Sequence, residues 1–186
     1  MAFEFQELDL KGAYIIKDFF AGDNRGGFTK TFEKDIFGDA GISFSLNETF
    51  ISRSAKNVIR GLHFQKNNPQ AKLVSVLSGA VWDVIVDLRI GSPTFKEWRA
   101  QILSAENHMS FYIPRGFAHG FASLQDDTLM LYQCEGKYDA ETDSGILFND
   151  SDIGVEWPID DSIAIHSERD LSLESFIDYI KNPITL

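Results

Sequence analysis

One cysteine, Cys134, occurs in 186 residues. That excludes an intrachain disulfide and a zinc site built on several thiolates, and it fits a reducing compartment. Cations are scarce as well: 17 Lys and Arg against 28 Asp and Glu give a formal net charge of −11 and an isoelectric point near 4.7. Nucleic acid and anionic membrane surfaces repel such a chain at long range, so neither is expected as a partner. A small anionic ligand can still be held where cations cluster. No apolar run approaches the length of a membrane span. The opening "MAFEFQELDLKG" carries acids where a secretory signal needs a basic start and a long apolar segment, so a cytoplasmic protein is expected. Only five prolines occur, and no Pro/Ser-rich linker, low-complexity tract or internal repeat marks a boundary. Residues 1–186 read as one domain, long enough to bury a core of its own.

What is abundant is apolar residues, 44% of the chain, with sixteen Phe among them. They fall in short β-rich runs broken by Gly, Asn, Asp or Pro: "AYIIKDFF", "GGFTKTF", "SFSLNETFIS", "AKLVSVL", "AVWDVIVDLR", "WRAQILS", "MSFYIP", "GFASL", "TLMLYQC" and "GILFND". That spacing predicts an all-β sandwich or barrel. In "AVWDVIVDL", Trp82, Val84, Val86 and Leu88 form a wholly apolar face, and the opposite face carries Asp83 and Asp87. "KLVSVLSGAVWDVIV" reads as a hairpin turning at Ser78-Gly79. In "TLMLYQC" the period of two puts Tyr132 with Met130 and Cys134, and either face could be the core. Helix is expected only near "EKDIFGDAG" and in the tail "LSLESFIDYIKN", where Phe176, Ile177 and Ile180 share a face.

Two histidines lie in otherwise apolar runs. "VIRGLHFQ" holds Arg60 and His63, and His63 can be a buried structural residue, a metal ligand or a base. On an extended strand these two would face opposite ways, so aiming both at one ligand requires a bend or bulge, which Gly61 permits. In "YIPRGFAHGF" a Pro-x-Gly-x-x-His arrangement sets His119 at a strand entrance, where it either satisfies a backbone group or points into a cavity. "PRGFAHGF" resembles the second motif of the cupin superfamily, whose first motif normally supplies two His and a Glu to a metal. Here "GLHFQ" supplies one His, and two histidines fall short of the three or four ligands of a stable transition-metal site. No metal is expected.

"NVIRGLHFQ", "AKLVSVLSGAVWDVIVDLRIGSPTFKEW", "LSAEN", "FYIPRGFAHGFASL", "LMLY" and "GILFNDSDIGVEWPI" resemble, in order from about Phe19 to Asp170, the dTDP-4-dehydrorhamnose 3,5-epimerases. The resemblance implies a cofactor-free, homodimeric cupin-type jelly roll with short peripheral helices and a C-terminal helix. It implies inversion of C3 and C5 of a nucleotide-linked 4-keto-6-deoxyhexose, whose hydrogens are acidified by the neighbouring carbonyl. In this match His63 is the base, Asp170 its carboxylate partner, Lys72 the cation near the sugar carbonyl and Tyr132 the acid on the opposite face of the ring. His119 matches a second substrate-contacting histidine. Arg25 and Arg60 match residues that hold the nucleotide part, and a guanidinium suits a diphosphate. Arg169, Asp143 and Tyr138 complete the set, Tyr138 as a surface for the nucleobase.

The chain departs from the family's pattern at three substrate-contacting positions. Glu48 stands for the usual Gln, Phe50 for the usual Asn, and Lys30 for the usual Glu. Lys30 and Glu48 could form an ion pair or share the polar groups of a different ligand. A related epimerase acting at C3 or C5 alone, or on another nucleotide, therefore stays open, as does a sugar-nucleotide binder without catalysis. The joint presence of His63, Lys72, Tyr132 and Asp170 argues against the binder, which has no use for that combination.

Overall fold

The β-branched and aromatic runs form two facing antiparallel sheets in the structure, a computed structural model that describes residues 2–186. In chain order the strands are β1 (Glu4–Glu7), β2 (Tyr14–Lys17), β3 (Phe19–Asp23), β4 (Gly26–Lys30), β5 (Leu46–Ser54), β6 (Ile59–Gln65) and β7 (Ala71–Ser78). They continue with β8 (Ala80–Asp87), β9 (Trp98–Ser104), β10 (Met109–Ile113), β11 (Phe117–Ser123), β12 (Thr128–Glu135) and β13 (Asp143–Gly145). One sheet has the order β1-β2-β10-β7-β12-β5, the other β13-β6-β11-β8-β9, and β3 and β4 make a separate hairpin. This is the expected all-β jelly roll. Among the described residues the three helices are short: α1 (Lys34–Asp39), α2 (Glu168–Leu171) and α3 (Phe176–Lys181). No helix among the described residues is long and apolar enough to cross a membrane.

Burial follows the alternation read from the strands. On β12 the face of Met130, Tyr132 and Cys134 is buried, which resolves the ambiguity in "TLMLYQC". These side chains join Val74, Val76, Val81, Ile85, Phe111 and Phe121 in the core between the sheets. On β8 the other face, Val84 and Val86, packs together with Leu88 just beyond the strand against Leu62, Phe64 and α3 in a second core. Because β8 is covered on both sides, Asp83 and Asp87 are buried in full.

Several expectations need correction. "KLVSVLSGAVWDVIV" is no hairpin: β7 pairs with β10 and β12, and β8 with β11 and β9. At Gly79, with φ +78°, the chain crosses between the sheets; a Cβ there would sit 2.4 Å from Thr128 Oγ1. Strands with apolar residues on both faces have each face covered by a different layer, and that favours a corner over a fold-back pair. "AYIIKDFF" is broken at the buried Asp18 into β2 and β3. Of "GILFND" only Gly145 is in a strand, since the Leu147 amide turns away to the Glu174 carbonyl. In α3 the buried side chains are Phe176 and Tyr179, while Ile177 and Ile180 are exposed. The Tyr179 hydroxyl donates to the Leu88 carbonyl at 2.6 Å, and that anchor sets the helix's rotation.

Candidate active site

Strand register builds the site. On the inner face of the first sheet, Glu48, Cys134 and Lys72 form one cross-strand row on β5, β12 and β7, and Phe50, Tyr132 and Val74 form the next. From the facing sheet, β6 and β11 present His63 and His119, which are directly paired. Between the sheets lies a cavity of about 430 Å³ lined by Glu48, Phe50, Lys72 and Tyr132 from the first sheet and by His63 and His119 from the second.

Gly61 lets β6 aim two residues at that cavity. His119 pairs with His63, but Phe121, two residues on, pairs with Arg60, three residues back, so β6 bulges by one residue. Gly61 has φ +119°, and the Gly61–Leu62 peptide bond is cis. With the bulge, Arg60 and His63 both line the cavity. Arg60 is held by the Ser54 hydroxyl at 3.2 Å and the Arg53 carbonyl at 3.3 Å.

His63 Nε2 lies 2.8 Å from Asp170 Oδ1. With Nε2–H donating to the carboxylate, Nδ1 keeps the lone pair. Asp170 sits in α2, and its own amide donates to the Ser167 hydroxyl at 3.0 Å, which caps the helix. Burial would raise the Asp170 carboxyl, but the His63 contact, the Gly61 amide and the Ser167 hydroxyl outweigh it and hold it below the usual carboxylate range. The partner of His63 is thus an anion.

The opposite sheet carries groups with the reverse bias. Burial first, then the charge of Asp83, pushes the Tyr132 phenol well above its usual value, so it remains a protonated donor. Burial pushes the Lys72 ammonium down, against the pull of Cys134, Asp143 and Asp83. An anion developing in the cavity favours the charged form of Lys72 and is stabilised by it.

His119 is almost fully buried, with Nε2 2.9 Å from Asp83 Oδ2. Asp83 Oδ1 has no hydrogen-bond partner, and burial raises the carboxyl despite His119. Sequence reasoning missed Asp83 as a site residue; the available signal was a carboxylate in an otherwise apolar strand. Asp143 Oδ2 accepts from Arg169 Nη2 at 2.8 Å and from the Tyr138 hydroxyl at 3.0 Å, fixing both at the cavity's rim. Glu48 accepts from Gln70 Nε2 at 2.7 Å, and Phe50 stacks on Tyr132.

Eleven of the thirteen expected site residues thus converge: ten line the cavity and Asp170 stands behind His63. Arg25 and Lys30 do not. Both lie on the β3–β4 hairpin, where Arg25 pairs with Asp23 at 2.6 Å and Lys30 with Glu33 at 2.6 Å. The Lys30–Glu48 ion pair is therefore absent from the chain: each carries another partner, and they sit on different sheets. Among the described residues no group of three or more His, Cys, Asp or Glu could hold a metal ion.

A jelly roll whose interior sets a carboxylate-bound histidine opposite a protonated phenol and a buried lysine defines a class of proton-transfer proteins. The model of the dTDP-4-dehydrorhamnose 3,5-epimerase family matches residues 7–178, and the chain belongs to that family. It is 44% identical over 170 residues to the dTDP-4-dehydrorhamnose 3,5-epimerase of Methanothermobacter thermautotrophicus, covering 90% of this chain and 92% of that one. The Bacillus anthracis dTDP-4-dehydrorhamnose 3,5-epimerase, solved with TDP and PPi bound, superposes with a TM-score of 0.90 at 42% identity, covering 94% of this chain and 100% of that chain. A Legionella pneumophila dTDP-6-deoxy-D-glucose-3,5-epimerase, in complex with dTDP-4-keto-L-rhamnose, gives a TM-score of 0.92 at 36% identity and 99% coverage of both chains.

Proposed function

We propose that this chain inverts C3 and C5 of dTDP-4-dehydro-6-deoxy-D-glucose to give dTDP-4-dehydro-L-rhamnose, without a cofactor. The observation that carries the proposal is the placement of His63 and Tyr132 on facing sheets, so that a sugar between them meets a base on one side and an acid on the other.

His63 Nδ1 takes the proton from the carbon beside the carbonyl. The C–H bonding pair moves into a carbon–carbon double bond, and the carbonyl pair moves onto oxygen as an enolate held by Lys72. The Tyr132 hydroxyl then gives its proton to that carbon from the opposite side, and the carbonyl re-forms. Proton exchange with solvent returns His63 to the neutral base and Tyr132 to the phenol. Arg60 and Arg169 supply the charge for the diphosphate, and Tyr138, held by Asp143, offers a face to the base.

We further infer a homodimer acting in a reducing, cytoplasmic setting, each chain serving as one domain. Arg25 and Lys30 lie off their own chain's cavity, so their expected contacts with the substrate are made to the cavity of a second copy.

The test is incubation with dTDP-4-dehydro-6-deoxy-D-glucose in deuterated water, followed by NMR. Deuterium at both C3 and C5, with inversion, supports the full epimerase. Label at one centre replaces it with a single-centre enzyme, and label at neither with a binder or another substrate.

A further inference from the structure

Tyr132 has an unusual neighbour. The Phe50 ring lies on it with centroids 4.6 Å apart and planes 11° from parallel. Phe50 is on β5, the edge strand, and keeps 48% of its surface exposed although it is a large apolar side chain. We propose that Phe50 is a positioning residue: its ring holds the Tyr132 hydroxyl on the reacting carbon and so determines how often a deprotonated centre is reprotonated with inversion. The proposal rests on the acid role given to Tyr132 above.

The geometry explains why this job falls to Phe50. A phenol oxygen lies on the axis of its own ring, so rotation about χ2 leaves it in place, and only a change of χ1 swings it away. Along the cross-strand row, Tyr132 has Val74 on one side and Phe50 on the other. Val74 is fully buried in a sheet interior and cannot yield. The His119 ring stands edge-on to Tyr132 at 5.9 Å from the facing sheet. Toward β5, at the sheet's edge, the Phe50 ring lies against the Tyr132 ring, while Ser52 on the same strand meets only the hydroxyl end.

The enolate left by His63 has two fates. Protonated His63 can return a proton to the same face, which exchanges hydrogen for solvent deuterium without changing configuration. Tyr132 can instead deliver its proton to the other face, which inverts the centre. A wandering Tyr132 hydroxyl impairs only the second.

The experiment measures both in deuterated water with the sugar nucleotide, for wild type, Phe50→Ala and Phe50→Tyr. In Phe50→Ala the ratio of inversion to exchange should fall on the order of tenfold, and Phe50→Tyr, which keeps a ring on Tyr132, should restore it. Exchange and inversion falling in step, an unchanged ratio, or failure of Phe50→Tyr to restore it would each overturn the inference. A second arm needs no substrate: in protein with labelled tyrosine rings, NOE cross-peaks between Tyr132 and His119 should weaken in Phe50→Ala and persist in Phe50→Tyr. Full cross-peaks in Phe50→Ala refute positioning whatever the substrate is. A wild type that exchanges nothing refutes the proposed reaction and leaves this second arm decisive for Phe50.

Discussion

Gly61 and Gly120 stand back to back. A Cβ on Gly61 would lie 2.6 Å from the Gly120 Cα and 2.8 Å from the His119 carbonyl oxygen, and a Cβ on Gly120 would lie 2.8 Å from the Arg60 carbonyl oxygen. This close approach accommodates the bulge that sends both Arg60 and His63 into the cavity. Gly61→Ala adds the clash and also places a side chain at φ +119°. Thermal unfolding should show a loss on the order of 2–4 kcal/mol. Unchanged stability would mean that β6 reaches its register without the glycine contact.

In the proposed reaction Asp170 fixes His63 through their 2.8 Å contact, so Asp170→Asn should lower turnover on the order of 10²- to 10⁴-fold while the chain stays folded. The same residue has a signature in stability. Its carboxyl is held below the usual range, so its contribution is present above the unfolded value of about 4 and is lost as pH falls through the lowered folded value. The acid slope of the unfolding midpoint should be shallower in Asp170→Asn than in wild type.

Lys72→Met removes the amine proposed to hold the enolate oxygen but keeps a stem of similar length. Turnover should fall on the order of 10²- to 10³-fold. Because burial disfavours the Lys72 charge, stability should change little or rise. Steady-state rates and denaturant midpoints measured on the same preparation separate the two effects.

Asp18 gives the opposite pH trend to Asp170. Its Oδ2 accepts from the Ser110 hydroxyl at 2.7 Å and its Oδ1 is buried without a partner. Burial pushes the carboxyl up to about 7, against the Ser110 bond and the Lys17 charge. The folded protein therefore holds this proton where the unfolded chain has lost it, and the stability Asp18 contributes below about pH 4 is lost as pH rises through 7. Asp18→Asn should stabilise the protein at pH 8 by on the order of 2–4 kcal/mol and have a smaller effect at pH 4.

A mixing experiment tests whether Arg25 serves a second copy. Chains carrying Arg25→Ala and chains carrying His63→Ala should each have little activity alone. Mixed and re-associated, they should recover activity, because one hybrid cavity then has both residues intact. No recovery from a mixture that does form hybrids would place Arg25 outside the nucleotide site.

Much of the molecule was legible along the chain. The grouping of Met130, Tyr132 and Cys134 on one strand face, the helix at Lys34–Asp39 and the bend at Gly61 all follow from rules that act over a few residues, although which face of that strand is buried does not. Local rules failed at Ser78-Gly79, where the same dipeptide suits a hairpin or a corner, and only the layers covering both faces of β7 and β8 decide between them. They failed again in α3, where the long-range bond from Tyr179 to Leu88 sets which side is buried.

The sequence by itself determined the all-β class, the period-two alternation of its strands and, through motifs that resemble one family, the set of candidate catalytic groups. Their electrostatic character came only from tertiary structure. Asp170 is 107 residues from His63 and Asp83 is 36 from His119, and no local pattern links such pairs. Folding desolvates Tyr132 and Lys72 and gives His63 an ionised partner, because charge is costly in a low-dielectric interior unless a neighbour compensates it. Tertiary structure also left Arg25 and Lys30 on a hairpin away from their own cavity, and it set Phe50 against Tyr132, since register across β5 and β12 is a property of the assembled sheet.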